Sequence, residues 1–362
     1  MKNKYGLVWN FDAYILWMNC VKYKNNNTIK IFEMMLLMIG SVVGVGFVSG
    51  TEIEDFFARF GINLFFGIFV LFINLLLLTY KILGLNNYDA NNVKMQNINK
   101  NLCKNTFLTK YQIRNFCLFF VLLMISSTMF AGLRLILFNL LNNNYHLIYL
   151  AVILFVFGVI CLGVKGLAKF NCLVLAFVVF MLSVILKNLT NATAFEFGEW
   201  NVCDCSKSIV FSLIYVFMNI VEVQPIANEF ELNISKRKKF AFAFVFSFII
   251  TTIVLLFSLF LRNNRGLAES AMPMLAYFEN SSVISKVIFY IGMIFALTST
   301  LITCLIGVKR HVINLIIDTT NLSASFLSIL ICVIVGLLPY SFFTKTIYPI
   351  LGVINFIVFS FL

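Results

Sequence analysis

Apolar runs long enough to cross a bilayer recur along this chain, and that pattern excludes most folds. A helical span needs roughly 20 consecutive apolar residues. Ten such runs are legible, at about 30–59, 63–85, 113–141, 146–164, 167–187, 208–232, 240–261, 283–308, 322–338 and 346–362. In lipid every backbone polar group must be satisfied within the protein, so runs of this kind form helices. The expectation is an all-α polytopic membrane protein of about ten transmembrane helices. Composition agrees. With 61% hydrophobic and 12% charged residues, the chain has too little polar surface for a soluble fold of this size.

Charge gives the orientation. The net charge of +12 would point to nucleic acid in a soluble protein. Here the bases cluster between apolar runs, most densely at Lys236, Arg237, Lys238 and Lys239 and in the Asn-rich loop 86–112. Both fall on the same side as the N-terminus when ten spans alternate, which is the positive-inside pattern. The expected localisation is the plasma membrane, multi-pass, with a cytoplasmic N-terminus. Membrane lipid is the expected environment, and no nucleic-acid partner is expected. The sequence carries no sign of an oligomeric state. The expected organisation is a cytoplasmic segment 1–29, a first five-helix repeat 30–187, an external loop 188–207 and a second five-helix repeat 208–362.

Little in the chain suggests catalysis. The nine cysteines are scattered, and only Cys203 and Cys205 lie close together, as two idle thiols or as a disulfide or soft-metal clip. His146 and His311 are the only histidines. That excludes His-based metal clusters and disfavours a Ser-His-Asp triad. Neither an enzyme nor a resident cofactor is expected.

The first span is unusual. Gly40, Gly44, Gly46 and Gly50 fall within eleven residues, and Glu52, Glu54 and Asp55 come directly after. Each glycine weakens a helix by about 1 kcal/mol relative to alanine. One reading is a small-residue packing face, since Gly40/Gly44 and Gly46/Gly50 keep the small-xxx-small spacing. The other is a helix broken in mid-membrane, because Gly44 and Gly46 lie on different faces. Five spans later, Pro225 sits in a run that also holds Tyr215, Asn219 and Glu222; taken alone it reads as an ordinary kink near a helix end, and taken with the first span it predicts a second interruption. Broken spans one and six in matching halves of five are the sequence pointer to an inverted-repeat transporter.

The stretch from Gly44 through Val45, Gly46, Phe47, Val48, Ser49, Gly50, Thr51 and Glu52 to Ile53, with Phe56, Phe57 and Gly61 beyond it, resembles the first-helix signature of the YkvI-like bacterial membrane proteins. Val45 and Val48 stand where that signature usually has alanines, and Thr51 where it has glutamine. Tyr215 to Asn219, Pro273 to Leu275 and the Thr298-Ser299-Thr300 run extend the similarity. The family's function is uncharacterised. It resembles a branch of the amino acid–polyamine–organocation transporter superfamily, which implies a LeuT-like 5+5 inverted repeat with broken helices 1 and 6. The resemblance also implies a sodium-like ion site built from the Gly40 and Val43 carbonyls, the Ala296 carbonyl and the Ser299 and Thr300 hydroxyls. Back-bonding of Ser and Thr to the preceding turn is the plainer reading of those hydroxyls.

Three charges fall within spans: Glu52, Arg134 and Glu222. Each costs roughly 2.5–3.5 kcal/mol on insertion scales, so each must face protein, water or a partner. Arg134 pairing with Glu52 or Glu222 is the structural reading. A carboxyl that carries a coupling proton is the functional one. The expected central site has the Gly44 and Gly46 amides for a carboxylate, with Ser49, Glu52, Tyr215 and Asn219 around it, which suits an amino-acid-like zwitterion. The function expected is secondary active transport of a small polar solute by alternating access, coupled to Na⁺ or H⁺. A sensor or assembly protein derived from a transporter, or a passive channel, is the alternative.

Overall fold

The computed structural model describes residues 27–96, 105–141, 144–162, 164–191, 200–229, 235–267, 270, 272–315 and 320–360. The expected N-terminal segment therefore lies almost wholly outside the described residues. Among them the chain is all-helical. The elements are α1 (Asn27–Val42), α2 (Val45–Ser49), α3 (Thr51–Phe56), a 3₁₀ turn (Ala58–Asn63), α4 (Leu64–Gln96), α5 (Asn105–Leu141), α6 (Tyr145–Leu162) and α7 (Val164–Thr190). They continue with α8 (Val202–Glu229), α9 (Lys236–Asn263), a 3₁₀ turn (Arg265–Leu267), α10 (Pro273–Glu279), α11 (Val283–Leu315) and α12 (Asn321–Val335). The last are α13 (Tyr340–Phe342), a π-helical stretch (Phe343–Ile347) and α14 (Tyr348–Ser360).

Among the described residues, seven helical stretches are long and apolar enough to cross a membrane: Ala58–Gly84, Ile113–Leu141, Phe170–Thr190, Val202–Ala227, Lys236–Asn263, Val283–Ile313 and Tyr340–Phe359. Two further apolar helices, Tyr145–Cys161 and Asn321–Val335, are shorter. At 1.5 Å per residue, a 15-residue helix reaches about 22 Å against a hydrocarbon core of roughly 30 Å. The expected first span is the remaining piece, divided among α1, α2 and α3. Outward faces are apolar, with Phe69 at 65%, Leu147 at 80% and Phe248 at 57% exposure. Exposed aromatic and aliphatic side chains in such density suit a lipid surround and not water. The chain is a multi-pass membrane protein.

α11 is the most enclosed of the seven, packing against α1, α5, α7, α8 and α12. Its Gly292 packs against the Phe177 ring of α7, and its Gly307 packs against Leu122 of α5 and Pro225 of α8. That second contact explains a correction. α8 runs unbroken from Val202 to Glu229, with Pro225 inside it. The expected interruption of span six is absent because Pro225 sits within the helix's last turn or so, where it costs a single backbone bond. Packing of its ring against α11 supports the helix there. The polar ends of α4 and α5 also extend into the expected loop 86–112, since α4 continues to Gln96 and α5 starts at Asn105.

Candidate functional site

The glycines of the first span do break the helix. α1 stops at Val42, and Gly44 is extended (φ −90°, ψ −166°), with its N–H donating to the Val42 carbonyl at 2.9 Å. α2 lasts five residues. Gly50 then takes φ 79°, a left-handed conformation open chiefly to glycine, and its N–H closes a turn onto the Phe47 carbonyl. The new piece α3 starts at Thr51, so the two breaks bracket α2. Its N-terminal acid, Glu52, is almost fully buried.

Glu52 folds back over the first break. A Cβ built on Gly46 would lie 1.8 Å from the Glu52 Oε1 and 2.2 Å from its Cδ. The residue-46 position must therefore be glycine for Glu52 to lie where it does. Ser49, fully buried, donates to the Gly46 carbonyl at 3.2 Å and shares a 2.8 Å bond with Thr51 Oγ1. Ser41 bonds back to Met38 of its own helix.

Around Glu52 the structure gathers groups from four other helical segments. Glu222 of α8, also buried, lies within electrostatic reach, and its Oε2 has no hydrogen-bond partner among the described residues. Tyr215 of α8 faces both carboxyls. Phe56 and Phe57 flank its ring at centroid distances of 5.6 and 5.1 Å. Tyr340 and Tyr348 flank the π-helical stretch and both face Glu52, with Tyr348 also in reach of Glu222 and Thr128. A π turn widens the helix and shifts the phase of the turns beyond it, and such turns recur at functional sites. The Tyr215 hydroxyl likewise has no hydrogen-bond partner among the described residues, whereas the Tyr340 hydroxyl faces Ser49 and Thr51 and the Tyr348 hydroxyl faces Glu52 and Thr128. Cys304 of α11 also lies within electrostatic reach of Glu222. Asn219 is buried nearby, but its Nδ2 donates to the Tyr215 carbonyl of its own helix at 2.9 Å.

Arg134 is not part of this cluster. Its Nη2 donates to the Leu338 carbonyl at 3.2 Å, and it lies beside Tyr149. Neither expected pairing, with Glu52 or with Glu222, is formed. Among the described residues no ion pair involves either acid.

A second polar centre lies one turn below the break. Ser299 donates to the Gly40 carbonyl at 3.3 Å, and Thr300 donates to the Ser41 carbonyl at 2.9 Å and to the Ala296 carbonyl at 3.4 Å. Gly40, Ala296, Ser299 and Thr300 thus come together as expected. Ser41 supplies the carbonyl expected from Val43, whose N–H continues the turn to Ile39. Missed entirely is Asn171 of α7. Its Oδ1 accepts from Ser299, and its Nδ2 donates to the Leu36 and Leu37 carbonyls, each at 3.4 Å. It is 1% exposed and lies against Gly40, where any Cβ would be 2.4 Å from Nδ2. These neutral oxygens fit a hard monovalent cation in kind. Elsewhere, Cys203 and Cys205 are free thiols, and no three or more His, Cys, Asp or Glu cluster as for a metal among the described residues.

No family model matches this chain. It is 30% identical over 171 residues to the uncharacterized membrane protein YkvI of Bacillus subtilis (strain 168). That match covers 46% of this chain and 46% of the relative, so it spans about half the length of each. The aligned likeness agrees with the YkvI-like resemblance of the first-span motif and says nothing of a wider superfamily.

Proposed function

We propose that this chain is a secondary active transporter of a small polar solute, working by alternating access and coupled to Na⁺ or H⁺. The observation that carries the reading is a helix broken twice in mid-protein, at Gly44 and Gly50, with two buried carboxyls and three buried tyrosines against the break. Irregular backbone at membrane depth is tolerated where it is buried in protein or lines a solute path. Buried ionisable groups there mark substrate and ion routes.

On this reading the broken first helix, the seven long helices and the two shorter ones make ten spans in a LeuT-like 5+5 inverted repeat, with a cytoplasmic N-terminus. The first break supports that arrangement, while the continuous α8 departs from it. Gly44 and Gly50 are the hinges about which α2 and α3 would swing against α8 and α11. Gly40, Ser41, Ala296, Ser299, Thr300 and Asn171 are the residues that would hold Na⁺. Glu52 and Glu222 are the groups that would carry a coupling proton.

Reconstitution into sealed vesicles loaded with a pH-sensitive dye tests this, with L-alanine and n-butylamine as solutes and imposed Na⁺ or H⁺ gradients. Transport predicts saturable solute uptake that collapses with one of the two gradients. Uptake that ignores both gradients and does not saturate would indicate a channel. Binding without any crossing would indicate a sensor.

A further inference from the structure

We infer that the Lys236 end of α9 is a site for an anionic phospholipid, with its phosphate held by Lys236, Arg237 and Lys238 and one acyl chain laid along Phe240, Phe244 and Phe248. The inference goes beyond the transport reading and does not depend on it.

The charge comes first. α9 opens on the bases Lys236, Arg237, Lys238 and Lys239, with no acid in its first turn. A helix N-terminus already carries about half a positive charge, so bases stand there against the macrodipole. Its first N–H groups also lack partners within the helix. The N-cap residue, Ser235, makes no side-chain bond to them. Lys239 is buried, but Lys236, Arg237 and Lys238 are exposed. None of those three side chains has a hydrogen bond or ion pair among the described residues. Long side chains of one sign around open N–H groups match a phosphate both in charge and in donors.

The apolar half of the site lies on the same helix. Phe240, Phe244 and Phe248 repeat every four residues, so with Lys236 they share one face. Each ring is about half exposed. They form a continuous ladder, with centroids 6.5 Å apart from 240 to 244 and 6.4 Å apart from 244 to 248, the second pair within 5° of parallel. Phe72 of α4 meets Phe244 edge-on at 5.7 Å and walls the ladder on one side. At 1.5 Å per residue, Phe248 lies about 18 Å along the axis from Lys236. One leaflet of hydrocarbon is about 15 Å deep, half of the roughly 30 Å core. The ladder has the reach of one acyl chain hung from a headgroup at Lys236.

Together the two halves narrow the occupant. Loop charge that only sets orientation needs no aromatic ladder beneath it. A free phosphate would leave the ladder unused. A zwitterionic lipid brings a cation to the bases along with its phosphate. A second copy of the chain docked by the same face would set bases against bases.

Quenching of tryptophan by lipids brominated in the acyl chain tests this on the full chain, in vesicles of mixed phosphatidylglycerol and phosphatidylcholine. The reporter is Phe244→Trp. The control is Phe326→Trp, at an exposed position of α12, a helix without charged residues. Wild-type protein gives the background of the native tryptophans. Position 244 should prefer brominated phosphatidylglycerol over brominated phosphatidylcholine by about fivefold or more, the worth of one base at an anionic surface. Position 326 should show no preference. Lys236→Gln/Arg237→Gln/Lys238→Gln in the Phe244→Trp chain should bring the two lipids level. Inorganic phosphate at matched ionic strength should leave the preference unchanged. Equal preference at 244 and 326, a preference that survives the triple substitution, or one that inorganic phosphate abolishes overturns the inference. If the triple variant does not fold, the comparison of positions 244 and 326 still decides it.

Discussion

Gly46→Ala is the sharpest probe of how Glu52 is held. In the folded chain the added methyl would stand 1.8 Å from Oε1, 2.2 Å from Cδ and 2.4 Å from Cγ, all of one side chain. Cβ contacts under 3.0 Å are not tolerated in real structures, so Glu52 must move. Overpacking of this kind costs about 1–3 kcal/mol. Against it stands the gain from replacing a helical glycine with alanine, roughly 0.5–1 kcal/mol. The net expectation is a loss of about 0–2.5 kcal/mol.

In a Glu52→Ala background the three colliding atoms are gone, and only the helix gain remains. The same substitution should then stabilise by up to about 1 kcal/mol. The double-mutant cycle should return a coupling of about 1–3 kcal/mol between positions 46 and 52. The assay is thermal or urea unfolding of the four purified proteins in one detergent, with midpoints and slopes compared. If Gly46→Ala costs the same in both backgrounds, Glu52 does not lie over Gly46.

Further outcomes rest on the packing and the orientation. Gly292→Ala should destabilise by about 1–3 kcal/mol, because the Phe177 ring lies 1.9 Å from the new methyl, whereas Gly158→Ala, with nothing within 4 Å, should be neutral or gain up to about 1 kcal/mol; unfolding midpoints read both. Asn171→Ala should cost about 1–3 kcal/mol through its lost bonds to Ser299, Leu36 and Leu37, read in the same unfolding assay. If the Gly40–Ser299–Thr300 centre holds Na⁺, the wild-type midpoint should rise in Na⁺ over choline at equal ionic strength, and Asn171→Ala and Ser299→Ala/Thr300→Ala should each lose that rise; saturation at about 100 times Kd is worth roughly 2.7 kcal/mol. Cys203, which is exposed, should react with an impermeant maleimide added outside sealed cells, and Ser235→Cys only after permeabilisation; the reverse pattern overturns the cytoplasmic N-terminus.

The membrane character was legible because it is a one-dimensional property. A run of twenty apolar residues states its own length and its own solvent, and nothing distant alters that. Helix ends were harder. Asn-rich stretches continue α4 to Gln96 and start α5 at Asn105, since backbone hydrogen bonding does not stop where hydropathy falls. Pro225 misled for a related reason. Its cost is local and visible in sequence, but the Gly307 surface of α11 that accepts its ring lies about eighty residues away.

The site divides along the same line. Gly44, Gly46, Gly50 and Glu52 lie within nine residues, so the broken helix and its acid could be read together. The partners that give the acid its chemistry could not. Tyr340 fell outside the expected tenth span, and Asn171 and Tyr348 looked like single polar residues in apolar runs. A usable signal was present for Asn171. A lone amide in a span must find a partner or carry a penalty of a few kcal/mol, whereas the π turn at Phe343–Ile347 that separates the two tyrosines has no such mark in the sequence. The expected Arg134 pairing shows the limit of matching charges by sign alone. Opposite charges in neighbouring spans need not meet, and here the guanidinium settles on the Leu338 carbonyl while both acids keep their distance from it. The sequence supplies the acids, but only the fold shows that Arg134 does not neutralise them.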